Sequence, residues 1–237
     1  MGCMEQPLDK YVQPTAILNS DHPAVIRFAD VATKKARGEP VQTAVQLYYA
    51  VRDGIRYDPY VSFHRPEDYR ASNILKWCRS YCVGKAALLC ALARARNIPC
   101  RLGFATVRNH LASEKLIDHI GSDLFVYHGY VEFWLNRRWV KATPAFNAEL
   151  CLLHHVDPLE FDGYSDSIYQ SYNRDNKLYI EYLTFHGTYA DVPVSTIVSA
   201  WKETYGTGRV QGWIDTNEVH NQAERPSARD FYGEPPL

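Results

Sequence analysis

Cys82 and His128 are the two residues whose type and setting most directly suggest chemistry. Cys82 lies in Ser80-Tyr81-Cys82-Val83-Gly84-Lys85-Ala86-Ala87-Leu88-Leu89-Cys90-Ala91-Leu92-Ala93-Arg94, where leucine and alanine predict a helix. Ser80 is expected to cap it, its hydroxyl accepting from backbone N–H groups two or three residues on. Cys82 then falls near the second helical position. A helix N-terminus carries roughly +0.5 elementary charge, which favours the thiolate, the nucleophilic form of cysteine. That field needs help from a base, usually histidine, within hydrogen-bond reach. The competing reading is that a free cysteine is among the most buried residue types and commonly just packs.

His128 stands in Leu124-Phe125-Val126-Tyr127-His128-Gly129-Tyr130-Val131-Glu132-Phe133-Trp134-Leu135, whose aromatic and β-branched residues predict a strand. Alternation places His128 on the same face as Val126, Tyr130 and Glu132. A histidine and a glutamate within an apolar strand each need a partner, because burying either alone is costly; two satisfied core polar groups would meet that need as well as a site would. Asn136-Arg137 is expected to turn the chain into a second strand over 138–143, making a hairpin.

The elements that must position this pair are read around it. Residues 1–20 are expected to be an extended arm. A first helix runs over 21–37, capped by Asp21, with Ala24, Phe28 and Val31 on one face, and a second over 40–52. Asn97 and Pro99 end the cysteine helix, and residues 101–107 form a strand. Residues 109–123 read as a polar loop with solvated His110 and His119, 144–177 as irregular, 178–185 as a strand and 193–206 as a helix capped by Asp191. The polar, Pro-containing 207–237 reads as a mobile tail or wrapping segment. Residues 1–206 are thus expected to be one domain, with its core at about 45–145 and a C-terminal tail after it.

Composition excludes several functions. The chain has 237 residues, 46% hydrophobic and 22% charged, ordinary for a soluble globular protein. A net charge of −1 gives no electrostatic case for nucleic acid or an anionic membrane. No apolar run approaches the roughly 18 residues of a membrane span, and the N-terminus lacks the apolar stretch of a signal peptide. Gly2-Cys3 hints at lipidation, but Gln6 stands where Ser or Thr is needed. The six cysteines, at positions 3, 78, 82, 90, 100 and 151, are expected to be reduced thiols in a cytoplasmic protein. Their spacing has no CxxC pair and the histidines make no HExxH. No cofactor or metal is expected; a thiolate site using Cys78, Cys82 and a histidine is the weak exception.

Three segments together resemble the transglutaminase-like core, which is similar to the papain-like thiol enzymes. They are Tyr49-Ala50-Val51-Arg52-Asp53-Gly54-Ile55-Arg56-Tyr57; the stretch from Cys82 to Arg101 with Ala86, Leu89, Ala91, Leu92, Arg94 and Ile98-Pro99 in register; and His128-Gly129-Tyr130-Val131-Glu132 followed by Trp139-Val140 and Thr143-Pro144. The resemblance implies an α+β fold of the papain/transglutaminase-like kind, with N-terminal helices, the Cys-bearing one included, packed on an antiparallel β-sheet that carries the histidine. It implies Cys82 as nucleophile and His128 as base in thiol-dependent acyl transfer on an amide. It also implies an acid at the position of Thr143, to orient the imidazole and stabilise its charged form. A threonine hydroxyl can accept a hydrogen bond but carries no charge. Thr143 therefore acts as a weak orienter, or Asn147, Asp157, Asp162 or Asp191 substitutes, or the site is degenerate.

The reaction expected is attack by Cys82 on a peptide or protein amide, with His128 holding the thiolate as an imidazolium pair and protonating the departing amine. The Cys82 backbone N–H would serve the oxyanion. Hydrolysis, as in a cysteine peptidase or amidase, is favoured over cross-linking because the animal transglutaminases resembled carry additional β-domains. The reading from a different class is a catalytically degenerate domain acting as a binding or scaffold module.

Overall fold

The computed structural model describes residues 8–169 and 171–220. Cys3 with the start of the expected arm, and residues 221–237 of the expected tail, lie outside the described residues. In chain order the elements are α1 (Pro23–Ala32), α2 (Pro40–Gly54), β1 (Arg56–Tyr57), α3 (Pro66–Tyr69), α4 (Ala71–Trp77), β2 (Arg79–Ser80), α5 (Cys82–Ala95), β3 (Cys100–Asn109), α6 (Glu114–Ile120), β4 (Leu124–Leu135), β5 (Arg138–Ala142), α7 (Ala148–Leu153), β6 (Ile180–Tyr189), α8 (Val194–Tyr205) and α9 (Thr207–His220). This is an α+β architecture. A four-stranded antiparallel sheet in the order β5-β4-β3-β6 packs against the helices.

Helix α5 is the axis. Every residue from Cys82 to Arg94 is buried, because α1, α2 and α4 pack on one side and β3 and β4 on the other. Its small residues permit that enclosure. Two cations inside it are satisfied by backbone. The Arg94 guanidinium donates to the carbonyls of Cys100, Gln13 and Ala190, tying the N-terminal arm and the segment before α8 to the core. The Lys85 ammonium donates to the carbonyls of Arg52 (2.9 Å) and Ile55 (2.5 Å), which the end of α2 leaves without intrahelical partners. Burial drives the Lys85 pKa well below its ordinary value.

The start of α5 differs from the expectation. Ser80 is drawn into a parallel pairing with Tyr57, so the cap position falls to Tyr81, whose side chain makes no capping bond, and Cys82 is the first helical residue. The Ser80 hydroxyl is still close to the first turn: a Cβ on Gly84 would lie 2.0 Å from its Oγ. Helix α1 also rotates relative to the expected face. His22 caps it through Nδ1, Val25 and Ala29 are buried, and Val31 is 73% exposed.

The hairpin forms as expected, Asn136 and Arg137 both taking positive φ. Glu132 meets Arg101 directly across the strand pair, at 2.7 Å to Nε and 2.6 Å to a terminal nitrogen, with the guanidinium stacked 4.0 Å over Trp139. The motif glutamate is therefore a satisfied core group and leaves His128 to other neighbours. Between these two residues and the strand's start the alternation breaks. The β3–β4 register slips between Ala105 and Val107, leaving an extra residue on β4, and Tyr127 adopts φ +60°. Such a bulge re-aims the side chains beside it. Its unpaired backbone groups are taken by α8: Trp201 Nε1 donates to the Val126 carbonyl (2.8 Å) and Val126 N–H donates to the Tyr205 hydroxyl (2.8 Å).

Three helices appear where loop, irregular chain or tail is expected, α7 within 144–177 being the shortest. Residues 114–120 form α6, capped by Ser113 and ended by Gly121 at φ +78°. Residues 207–220 form α9, which follows α8 through Gly206 at φ +92° and buries Val210 and Ile214. Among the described residues no helix is long and apolar enough to cross a membrane.

Removing the Lys85 side chain should expose how far α2 depends on it. Lys85→Ala leaves a cavity and weakens the capping of two buried carbonyls, with an expected cost of about 2–4 kcal/mol in urea unfolding. Lys85→Met, which preserves the volume, is expected to recover part of it. A loss below about 1 kcal/mol for the alanine variant would refute this role.

Candidate active site

Cys82 and His128 are brought together by one close approach. A Cβ on Gly129 would lie 2.9 Å from Val83 Cα and 3.3 Å from Val83 N, so only glycine lets β4 touch the first turn of α5. This contact aims the Gly129 N–H at Cys82 Sγ and carries His128, the residue before it, to the same place.

The electrostatics are those of a covered pair. Burial pushes the Cys82 thiol up to about 11, outweighing the lowering effect of backbone N–H groups of Gly129, Val83 and Cys82 itself. Burial pushes His128 down to about 4. The two residues are 7% and 6% exposed, and no hydrogen bond joins them. Burial thus favours the neutral thiol and the neutral imidazole over the expected thiolate–imidazolium pair. The helix field is present, but desolvating two opposite charges costs more than it supplies.

Thr143 brings a neutral hydroxyl. Its Oγ1 is buried beside the Tyr182 phenol without a full hydrogen bond. His128 Nε2 is likewise buried with no partner, and the ring of Tyr169 packs 5.4 Å from the imidazole. The four candidate substitutes are used elsewhere. Asn147 accepts from Tyr57 N–H (2.7 Å) and donates to the Arg52 and Ile55 carbonyls. Asp157 pairs with Arg174, Asp162 accepts from the N–H groups of Tyr164 and Ser165, and Asp191 accepts from Val192 N–H. Cys78 is exposed at the left-handed end of α4, donating to the Leu75 carbonyl. Among the described residues no three His, Cys, Asp or Glu side chains gather to hold a metal.

Cys82 and His128 line one cleft of about 360 Å³. Its walls are largely aromatic, with Tyr60, Phe63, Tyr81 and Tyr127 from the body and Trp201 and Trp213 from α8 and α9. On its far side His128 borders a second cavity of about 40 Å³ that Tyr57, Cys151, Tyr169 and Tyr179 also line. Sequence reasoning missed the α9 wall and His119, which stacks on Trp213 at 5.1 Å. The helical spacing of Val210, Trp213 and Ile214 was the available signal for that wall. Nothing local distinguishes His119 from a solvated residue.

The family model described as the transglutaminase-like superfamily matches residues 27–144. Among solved structures, a candidate cysteine protease from Cytophaga hutchinsonii is similar, with 15% sequence identity and a TM-score of 0.47, over 82% of this chain and 50% of that one. The chain thus spans half the length of that structure. No curated protein matches it.

Two measurements check the electrostatics. The His128 pKa of about 4 lies below its ordinary 6.5, so between these values the unfolded chain binds the extra proton. Stability from this residue is complete above about pH 6.5 and is lost as the pH falls towards 4, by roughly 3 kcal/mol in all. Urea midpoints over this range are expected to slope less in His128→Asn, and equal slopes would refute the shift. Alkylation of Cys82 by iodoacetamide, followed by mass spectrometry, is expected to accelerate only above the ordinary thiol range near about 8.5; a rate plateau reached at neutral pH would show an ion pair instead.

Proposed function

Residues 27–144 place this chain in the transglutaminase-like superfamily, and from that premise we infer that Cys82 and His128 carry out thiol-dependent acyl transfer from an amide, with water as the favoured acceptor. The observation that carries the reading is the shared cleft: the thiol at a helix N-terminus and the imidazole on the adjoining strand open onto the same aromatic space.

The neutral resting pair supports general-base activation over a standing ion pair. His128 Nε2 is sealed in the interior, which leaves Nδ1 to take the Cys82 proton as Sγ bonds to the substrate carbonyl carbon. The carbonyl π electrons move onto oxygen. The N–H of Cys82, in a first turn whose donors have no intrahelical acceptor, is placed to hold that oxyanion. Collapse breaks the C–N bond, and the amine leaves with the proton from His128. Water then attacks the thioester, giving its proton to His128, and the thiol is restored when the C–S bond breaks. Walls from α8 and α9 favour water over the side-chain amine of a second protein.

The second reading, a binding or scaffold module without turnover, is favoured by Thr143 and by the unpartnered Nε2. Intact-mass analysis after incubation with activated aryl esters and anilides separates the two. An acyl adduct on Cys82, absent in Cys82→Ala and slowed roughly 10²–10⁴-fold in His128→Ala, is expected for the enzyme. No adduct between pH 6 and 10 would favour the module. Thr143→Asp is expected to raise the His128 pKa, read by NMR, and to accelerate acylation; unchanged values would place the orienting group elsewhere.

A further inference from the structure

Helix α9 forms one wall of the cleft, through Trp213, Thr216 and Asn217. Helix α9 is clamped across it at three places. Arg209 donates to the carbonyls of Asp118 and His119 at the end of α6 (2.9 and 3.0 Å), Trp213 stacks on His119, and Glu218 meets His64 at 3.3 Å. The clamp sits against Gly121, whose φ of +78° ends α6. The space left beneath is about 360 Å³, within the range of small-molecule sites. Extended polypeptide advances only about 3.3 Å per residue and needs an exit at each end.

The walls also state a chemistry. Phe63 packs on Trp201 at 4.7 Å and on Trp213 at 6.2 Å, and Trp213 on Tyr205 at 5.9 Å, so the rings are held in place before a ligand arrives. The Tyr81 hydroxyl is bonded to Tyr69 at 2.6 Å, presenting its ring. The charged lining residues are already engaged: Asp58 is 3.6 Å from Arg79, and Lys115 lies over the Tyr60 ring at 5.7 Å. Cys82 and His128 form part of this lining.

We propose that the cleft is an acyl pocket selecting small neutral amides with one aromatic ring or a short branched apolar chain, and excluding polypeptide chains. This rests on the acyl-transfer reading for the reaction but not for the binding. Preformed aromatic walls favour a flat or compact apolar group, by stacking and by release of water. The engaged charges supply no unpaired partner for an ionic group.

The test is binding first, turnover second. Intrinsic tryptophan fluorescence of Cys82→Ala, titrated with 3-phenylpropionamide, isovaleramide and acetamide, reads the pocket without reaction. The phenyl and branched amides are expected to bind roughly ten- to hundredfold more tightly than acetamide. Trp213→Ala, or Phe63→Leu if the former fails to fold, is expected to reduce that preference at least threefold. Equal affinity across the series, no saturable binding, or a preference untouched by a folded variant overturns the proposal. With wild-type protein, kcat/KM on the matching p-nitroanilides is expected to follow the same order while fluorescein-casein stays intact; casein cleavage at a comparable rate also overturns it. Binding in this order without any turnover would reject acyl transfer and uphold the pocket. Turnover without acyl preference would do the reverse.

Discussion

The contact between Gly129 and Val83 is the constraint on which the site depends. A strand can meet the end of a helix this closely only where the strand brings no side chain into the gap, and a Cβ at 129 would sit 2.9 Å from Val83 Cα. From that contact follow the direction of the Gly129 N–H towards the thiol, the position of His128 one residue earlier, and the burial of both. The same burial sets their protonation. Removing water from the pair penalises the charged form of each, so positioning and charge come from one packing decision.

The bulge at Tyr127 is the second device. The extra residue lies between Phe125 and His128, so His128 and Glu132 keep their regular pairing with Ala105 and Arg101 while the strand before His128 is redirected. A non-glycine residue at positive φ costs of order 1–3 kcal/mol. Trp201 and Tyr205 offset this by hydrogen bonding the freed groups of Val126 and Leu124. Helix α8 thus couples the geometry of the strand to the aromatic wall of the cleft.

The interior polar groups divide by role. Lys85, Arg94, Glu132 and Asn147 all find partners and hold segments in place. His128 Nε2 is buried without a hydrogen bond, and Thr143 Oγ1 lies beside the Tyr182 phenol without a full one. Buried polar atoms without partners are expensive, and His128 Nε2 is one of them, beside the cavity that His154 and Tyr169 also line.

The sequence alone determined the cysteine helix, the hairpin and the order of Cys82 before His128, because helix propensity, β-branched content and a turn pair are local signals written within a few residues of where they act. It also determined that Thr143 lacks a charge. What the tertiary structure decided was non-local. Ser80 lost the cap position to a pairing with Tyr57, 23 residues away; Asn147 went to the end of α2; the register slip at Tyr127 set the side-chain directions; and α9, polar in composition, became a wall because Val210, Trp213 and Ile214 met a surface assembled from distant segments. Protonation belonged to this second group, since no residue type fixes how much water its neighbours will remove.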